Sequence, residues 1–166
     1  EIGENMPYVD LGKNKVVDVQ AGEYFTCALF DNKKVKCWGY NYAGQLGYED
    51  VEYRGDAPNE MGENLKFVDV GEDVKKLDVG RRHVCVLTVS NRLKCWGGNS
   101  RGQLGSGATQ NIGMTKGSMG ESLPYVNVGE GEIKDFHAGS LHTCVEFESG
   151  SIKCWGYNSN GELGLG

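Results

Sequence analysis

Proline is scarce in this chain, three in 166 residues, and no apolar run approaches the roughly 18 residues of a membrane-spanning helix. Basic residues do not dominate either. Seventeen Lys and Arg stand against 23 Asp and Glu, for a net charge of −6. Binding through phosphate neutralisation needs a basic face, so no nucleic-acid partner is expected, and no membrane insertion. No window keeps helical periodicity over roughly 11 residues. Asn-x-Ser/Thr acceptors and D-x-D-x-D-G calcium loops are absent, which argues against N-glycans and that class of calcium site. The cysteines lack the close C-x-x-C type of spacing, and the three histidines do not complete a zinc set. No nucleophile, base and acid stand in a recognisable pattern. The expectation is a non-enzyme without metal or cofactor. The chain opens at Glu1 with neither an initiator Met nor a charged-then-apolar leader, as a mature chain or a piece of a longer one would.

Glycine is abundant instead, at 26 residues, where ordinary usage is roughly 7%. Without a collagen period, that points to many tight turns. The four letters KCWG occur at 36–39, 94–97 and 153–156, and their flanks align. Gly22, Gly80 and Gly139 correspond, as do Asn41, Asn99 and Asn158. "GQLG" at 44–47 returns at 102–105 and as "GELG" at 161–164. A second landmark, "IGENMPYVDLG" at 2–12, recurs as "MGENLKFVDVG" at 61–71 and "MGESLPYVNVG" at 119–129. The period is 58 or 59 residues, giving about 2.8 copies. The repeats are drawn at 15–73, 74–131 and an incomplete 132–166, with 1–14 as the tail of a preceding repeat, all within one segment, 1–166. Short apolar stretches between turn signals make each copy a set of strands. The fold class is all-β, and a β unit repeated at this length reads as propeller blades.

Six cysteines fall in three pairs, each ten residues apart: Cys27/Cys37, Cys85/Cys95 and Cys144/Cys154. If "FDNKK" (30–34) is a hairpin with a three-residue loop, Leu29 faces Val35, Ala28 faces Lys36 and Cys27 faces Cys37. The same count pairs the others. Lys33, Asn91 and Gly150 then fill the third loop position, which wants a left-handed residue. Opposed strand residues lie about 4.5–5.5 Å apart at Cα, within disulfide reach. Each pair is therefore read as a cross-strand staple, worth roughly 2.8 kcal/mol on the loop-length relation. Paired cysteines in turn imply an oxidising compartment, with the chain secreted or at a cell surface.

Alternation along the strand puts Cys37 and Gly39 on one face and Lys36 and Trp38 on the other. Trp38, Trp96 and Trp155 are expected to pack between adjacent blades, each with an N–H that needs a partner. Lys36, Lys94 and Lys153 could lie over rings or carry a buried stem to water. The GQLG glycines suit turns with positive φ; they do not form a phosphate loop, since no Lys-Ser/Thr and no helix follow.

With Gly80…His83-Val84-Cys85-Val86-Leu87 and Trp96-Gly97-Gly98-Asn99…Gly102-Gln103-Leu104-Gly105, the chain resembles the repeat of the regulator of chromosome condensation family. The motif recurs three times in register over nearly the whole length. The resemblance implies a seven-bladed propeller of four-stranded blades, of which this chain would hold about three. The cysteine pairs resemble an extracellular subset of the family. The founding activity, nucleotide exchange on a GTPase, is a second alternative, because no matched catalytic loop is present.

Three repeats in one chain can be compared with each other. Positions identical in all copies are set by the blade, and positions that vary in loops are free for a site. After the shared Gly come Glu23-Tyr24, Arg81-Arg82 and Ser140-Leu141; around the shared Asn come Tyr40 and Tyr42, Gly98 and Arg101, and Tyr157. Tyr and Arg are enriched at binding hot spots. The candidate partner-binding residues are Tyr24, Tyr40, Tyr42, Arg81, Arg82, Arg101, Leu141 and Tyr157. The expected function is an extracellular binding module for a protein or glycan, without catalysis. The first alternative is a structural subunit of a surface filament or coat, built by self-association with further copies of itself.

Overall fold

β-branched and aromatic residues alternate with polar ones between glycine turns, and each repeat folds as a three-stranded antiparallel meander. The computed structural model describes residues 3–165; Glu1, Ile2 and Gly166, at the ends of the repeat pattern, lie outside the described residues. The first sheet holds β1 (Val16–Ala21), β2 (Phe25–Phe30) and β3 (Val35–Gly39). The second holds β4 (Val74–Val79), β5 (His83–Thr88) and β6 (Leu93–Gly97). The third holds β7 (Ile133–Ala138), β8 (His142–Phe147) and β9 (Ile152–Gly156). Each β1-type strand carries a bulge at the same place, between Val16 and Asp18, Val74 and Lys76, or Ile133 and Asp135.

The hairpin register follows the count made from the sequence. Cys27 lies opposite Cys37, Cys85 opposite Cys95 and Cys144 opposite Cys154. Their Cα atoms are 4.1, 4.2 and 4.1 Å apart, and all six cysteines are joined in these pairs. Lys33, Asn91 and Gly150 have φ of 62°, 60° and 82°, the left-handed conformation that the third loop position requires. Non-reducing peptide mapping of the native protein should therefore return these three bonds; a bridge between repeats, or six free thiols, would contradict the register.

Among the described residues the fourth strand is reduced to isolated β-bridges on the outer strand, Val35 to Val68 and Gly39 to Arg54 in the first repeat, Lys94 to Tyr125 and Gly97 to Ile112 in the second. The landmark segment makes one backbone bond with the outer strand, Val68 N–H to Val35 O at 2.8 Å or Val126 N–H to Leu93 O at 2.8 Å. It then turns away, because Asp69 and Asn127 accept from the N–H two residues on and start a turn there.

The sheets stand side by side, with β4 beside β1 and β7 beside β4. Two apolar seams join them. Phe25, Leu46, Leu77, Val84 and Trp96 fill the first, and Leu87, Leu104, Phe136, Val145 and Phe147 the second. The middle sheet is covered on both sides: β5 and β6 are buried at every position. The outer sheets are covered on one side only, so β1 and β8 alternate between more and less buried positions and β9 contains no buried residue. The tryptophans follow the same rule. Trp96 is fully buried and donates its indole N–H to Gln45 O across the seam at 3.1 Å. Trp155 donates to Gln103 O at 3.0 Å but is only half-buried, as is Trp38. The expectation of tryptophans packed between adjacent blades thus holds for Trp96 and for Trp155, which lies less deeply in the second seam, while Trp38 belongs to a sheet covered on one side only.

The lysines of KCWG take neither of the two roles considered for them alone. The Lys36 ammonium is 2.9 Å from both Leu11 O and Gly62 O, and lies 4.9 Å from the centre of the Phe67 ring. Lys94 repeats this with Val70 O and Gly120 O, and with the Tyr125 ring at 4.7 Å. Burial pushes the Lys94 ammonium below its ordinary value. Lys36 and Lys94 are buried cationic plugs that each tie a landmark segment to its sheet, whereas Lys153 is exposed and bonds Val128 O alone.

Candidate interaction surface

The last glycine of KCWG builds the surface. Gly39, Gly97 and Gly156 sit at φ of 104°, 99° and 110°. A Cβ there would come within 2.5, 2.6 and 2.6 Å of the carbonyl oxygens of Tyr24, Arg82 and Leu141. Only glycine permits that approach. It lets the next residue donate its N–H to the same carbonyl: Tyr40 to Tyr24 at 2.8 Å, Gly98 to Arg82 at 2.7 Å and Tyr157 to Leu141 at 2.9 Å. A constant residue thereby places two variable positions side by side in every repeat. The loops after β1, β4 and β7 are also tied to one another, by Glu23 N–H to Arg81 O at 2.9 Å and Arg81 N–H to Ser140 O at 3.1 Å.

The shared Asn and Gln hold the rim from beneath. Asn99 Nδ2 donates to Ser106 Oγ, Ala108 O and Gln110 O, and its Oδ1 accepts from Leu104 N–H at 3.0 Å. Asn41 does the same for residues 46–52, and Asn158 accepts from Leu163 N–H. Gln45, Gln103 and Glu162 each accept from an N–H two residues earlier. These residues recur because they fold the loop.

Most of the predicted contacts gather on the first two repeats. Tyr24 and Tyr40 meet edge to face at 6.3 Å, Tyr40 and Tyr42 lie 6.4 Å apart, and Tyr53 joins Tyr40 at 5.0 Å. The Arg82 guanidinium lies 5.9 Å from the Tyr40 ring centre and bonds Glu23 at 2.7 Å, while Arg81 bonds the other carboxylate oxygen at 2.8 Å. Hydrogen bonds from the two arginines hold the Glu23 carboxyl down to about 2. Tyr24 and Tyr42 remain exposed. Arg101, Leu141 and Tyr157 form a second group, with Arg101 5.2 Å from the Tyr157 ring centre. Repeat comparison could not find Tyr53. It lies in the loop of 48–60, which aligns poorly between repeats, and its only signal is an aromatic residue in a polar segment.

The histidines are scaffold in geometry. His83 is buried with its ring packed over Gly80, as Phe25 packs over Gly22 and His142 over Gly139. Thr143 spends its hydroxyl proton on Gln103 O at 2.8 Å, so its oxygen accepts from His83 Nε2–H at 3.1 Å. His83 Nδ1 is left bare and buried. Burial, with a smaller contribution from His142, pulls the His83 imidazole down to about 4. Among the described residues, no group of three or more His, Cys, Asp or Glu is placed to hold a metal, and no helix is long and apolar enough to cross a membrane. The triplet Arg54-Gly55-Asp56 is not a free tip: the Arg54 guanidinium is folded back on Asp50 at 2.7 Å and on two backbone carbonyls.

Side-by-side three-stranded sheets, sealed by a seam tryptophan and carrying variable loops on one rim, define consecutive blades of a β-propeller. The regulator of chromosome condensation (RCC1) repeat matches residues 16–45, 74–103 and 133–162, and the chain belongs to that family. It is similar to the human X-linked retinitis pigmentosa GTPase regulator, 30% identical over 166 residues, covering 99% of this chain and 15% of that one. It is also similar to the Arabidopsis thaliana ultraviolet-B receptor UVR8, 25% identical over 201 residues, covering 92% of this chain and 44% of that one. Among solved structures it resembles Prp20p of Saccharomyces cerevisiae, with a TM-score of 0.68, 21% identity and coverage of 91% and 35%. Human WBSCR16 gives a TM-score of 0.66 at 20% identity, covering 87% and 34%. The chain spans less than half the length of each of these relatives.

Proposed function

We propose that this propeller segment is an extracellular, non-catalytic interaction module that holds a protein or glycan partner on its tyrosine–arginine rim. The observation that carries this reading is the pairing of variable residues by constant glycines. The scaffold spends its invariant positions on presenting Tyr24, Tyr40, Tyr42, Arg82 and Arg101 at the surface, and Tyr24 and Tyr42 stay exposed to solvent. Large aromatic side chains left in water at one rim are the chemistry of hot spots. The three cysteine pairs support an oxidising compartment. Of the relatives, Prp20p is described by its binding to Gsp1p and histones, which makes a protein the favoured class of partner here.

Immobilised wild-type chain should retain a partner from extracellular extract. Tyr42→Ala and Arg82→Ala should each weaken that retention at least about tenfold, the scale of a hot-spot residue. Both should leave stability within about 0.5–1 kcal/mol, because Tyr42 is exposed and the Arg82–Glu23 pair is solvated. Lys33→Ala, on the hairpin turn at the opposite end of the sheet, is the control and should change neither. Equal retention by all four proteins would remove the rim as the site, and accelerated nucleotide release from a GTPase would favour an exchange factor instead.

A further inference from the structure

The charges of this chain are unevenly divided. Residues 79–120 hold six of its 17 Lys and Arg and none of its 23 Asp and Glu. That stretch carries +6, and the remaining residues, with 11 cations against 23 carboxylates, carry −12. It contains most of the second blade: β5, β6 and the loops on both sides of them. The second blade has a neighbour on each flank, and β5 and β6 are buried throughout, so its exposed charges lie at its ends and in its loops. Lys94 is engaged inside, on Val70 O and Gly120 O. Arg92 lies at the hairpin end, over the Tyr125 ring at 3.4 Å. Arg81, Arg82 and Arg101 are on the rim. Lys116 is exposed on the loop that leaves Ile112, which is bridged to Gly97 at the rim end of β6.

The rim arginines keep donors free. Arg82 is held through Nε by Glu23, with its guanidinium 5.9 Å from the Tyr40 ring centre, and neither of its terminal amino groups has a partner among the described residues. Arg81 gives Glu23 one N–H, from Nη2. The Arg101 guanidinium, beside the Tyr157 ring, has neither a hydrogen bond nor an ion pair among the described residues. Two guanidiniums on one carboxylate and a third on none leave this part of the rim cationic. The first blade bears the opposite charge. Its loop of 48–60 holds Glu49, Asp50, Glu52, Asp56 and Glu60 against Arg54, whereas the counterpart in the second repeat, 106–118, holds Lys116 and no carboxylate.

We propose, resting on the rim as the module's binding surface, that the partner meets the second blade with a short acidic segment, whose Asp or Glu carboxylates dock on Arg82 and Arg101. Glu23 shows the geometry within the molecule: one carboxylate takes N–H donors from Arg81 and Arg82 at 2.8 and 2.7 Å. A guanidinium held beside a ring keeps its edge free for a bidentate carboxylate and loses little freedom on binding. The length of the segment follows from the neighbouring charge. A nucleic acid or a sulfated glycan chain running past one blade meets the carboxylates of 48–60, and like charges repel across an interface. A few carboxylates matched to one blade do not reach them. The net charge of −6 repels an acidic partner at long range, so the acid-free stretch also sets which part of the molecule faces it.

Fluorescence anisotropy with a labelled peptide of alternating Asp and Glu residues tests this, with the matching Asn and Gln peptide as the neutral control and circular dichroism to confirm the fold of each variant. The wild type should bind the acidic peptide and not the neutral one, and binding should weaken as salt is raised. Arg82→Gln and Arg101→Gln should each weaken it about threefold or more, and together at least about tenfold. Arg92→Gln removes a charge of the same stretch at the hairpin end and should change nothing. An acidic peptide that does not bind, equal binding by the double variant, or a loss as large in Arg92→Gln would overturn the proposal. So would tighter binding of a DNA oligonucleotide or a sulfated oligosaccharide through the same arginines, which would make the ligand a polyanion. The rim itself is scored separately, on the partner retained from extract. Retention lost in Tyr42→Ala but kept by the double arginine variant would overturn the acidic segment and leave the rim as the site. Retention kept by both would remove the rim, and the acidic segment with it.

Discussion

Trp96→Ala should cost about 3–5 kcal/mol of stability, the range for emptying a fully buried large aromatic site. Trp38→Ala and Trp155→Ala should each cost clearly less in dilute solution. The sequence around the three is nearly identical, so the difference comes from position alone. Trp96 lies in the seam between two sheets, with its N–H on Gln45 O. Removing it leaves a cavity against Gly47, which lies under the indole, and strands a carbonyl that the indole had satisfied. Trp38 and Trp155 already spend part of their surface in water, and a cavity open to solvent refills with it. Denaturant titration of the three variants, at concentrations where the wild type is a single chain, measures the difference. Equal losses at all three sites would mean that the seam does not set the energetics.

Stability should fall by about 3 kcal/mol as the pH drops from 6.5 to about 4, and His83 is the cause. The native imidazole is held down to about 4, against an ordinary 6.5. Above pH 6.5 it is neutral in both states and the contribution is flat. Below 6.5 the unfolded chain takes up a proton that the native protein refuses, so stability is lost with falling pH until the native group also titrates. Carboxylates held low in the native state, Glu23 chief among them, act in a lower window, from about 4.5 downwards. The chain contains its own control. Where the second and third blades have His83 and Thr143, the first and second have Phe25 and Val84. His83→Phe with Thr143→Val transplants that pair and should flatten the profile between pH 6.5 and 5. An unchanged profile in the double variant would place the proton uptake elsewhere.

How far the sequence carried depended on the range of the interaction. Hairpin register was legible because it is local: ten-residue spacing around a three-residue turn fixes which cysteines meet, and Lys33 and Asn91 adopt the left-handed turn despite their side chains. Repeat comparison also separated Asn41, Asn99 and Asn158, which fold loops, from Tyr24 and Arg82, which face solvent. It did not reveal that Gly39 exists to bring Tyr40 onto Tyr24 O, because a close backbone approach leaves no trace in the residues being approached. It did not show that Trp38 and Trp155 lie less deeply than Trp96, since local sequence says nothing of which neighbour is present. It also missed the lysine ties to the landmark segments. Lys36 reaches back 25 residues to Leu11 and forward 26 to Gly62, and no periodic pattern encodes contacts of that span.

The division between scaffold and site is tested most directly by one variant measured in two ways: Tyr24→Ala, Tyr42→Ala and Arg101→Ala combined. All three side chains lie on the rim, and single surface changes of this kind cost roughly 0.5 kcal/mol or less. The unfolding midpoint should stay close to that of the wild type, while retention of the partner that the wild type holds should be lost. A lowered midpoint with retention intact would contradict the account, for it would make the rim part of the scaffold and leave the binding surface elsewhere.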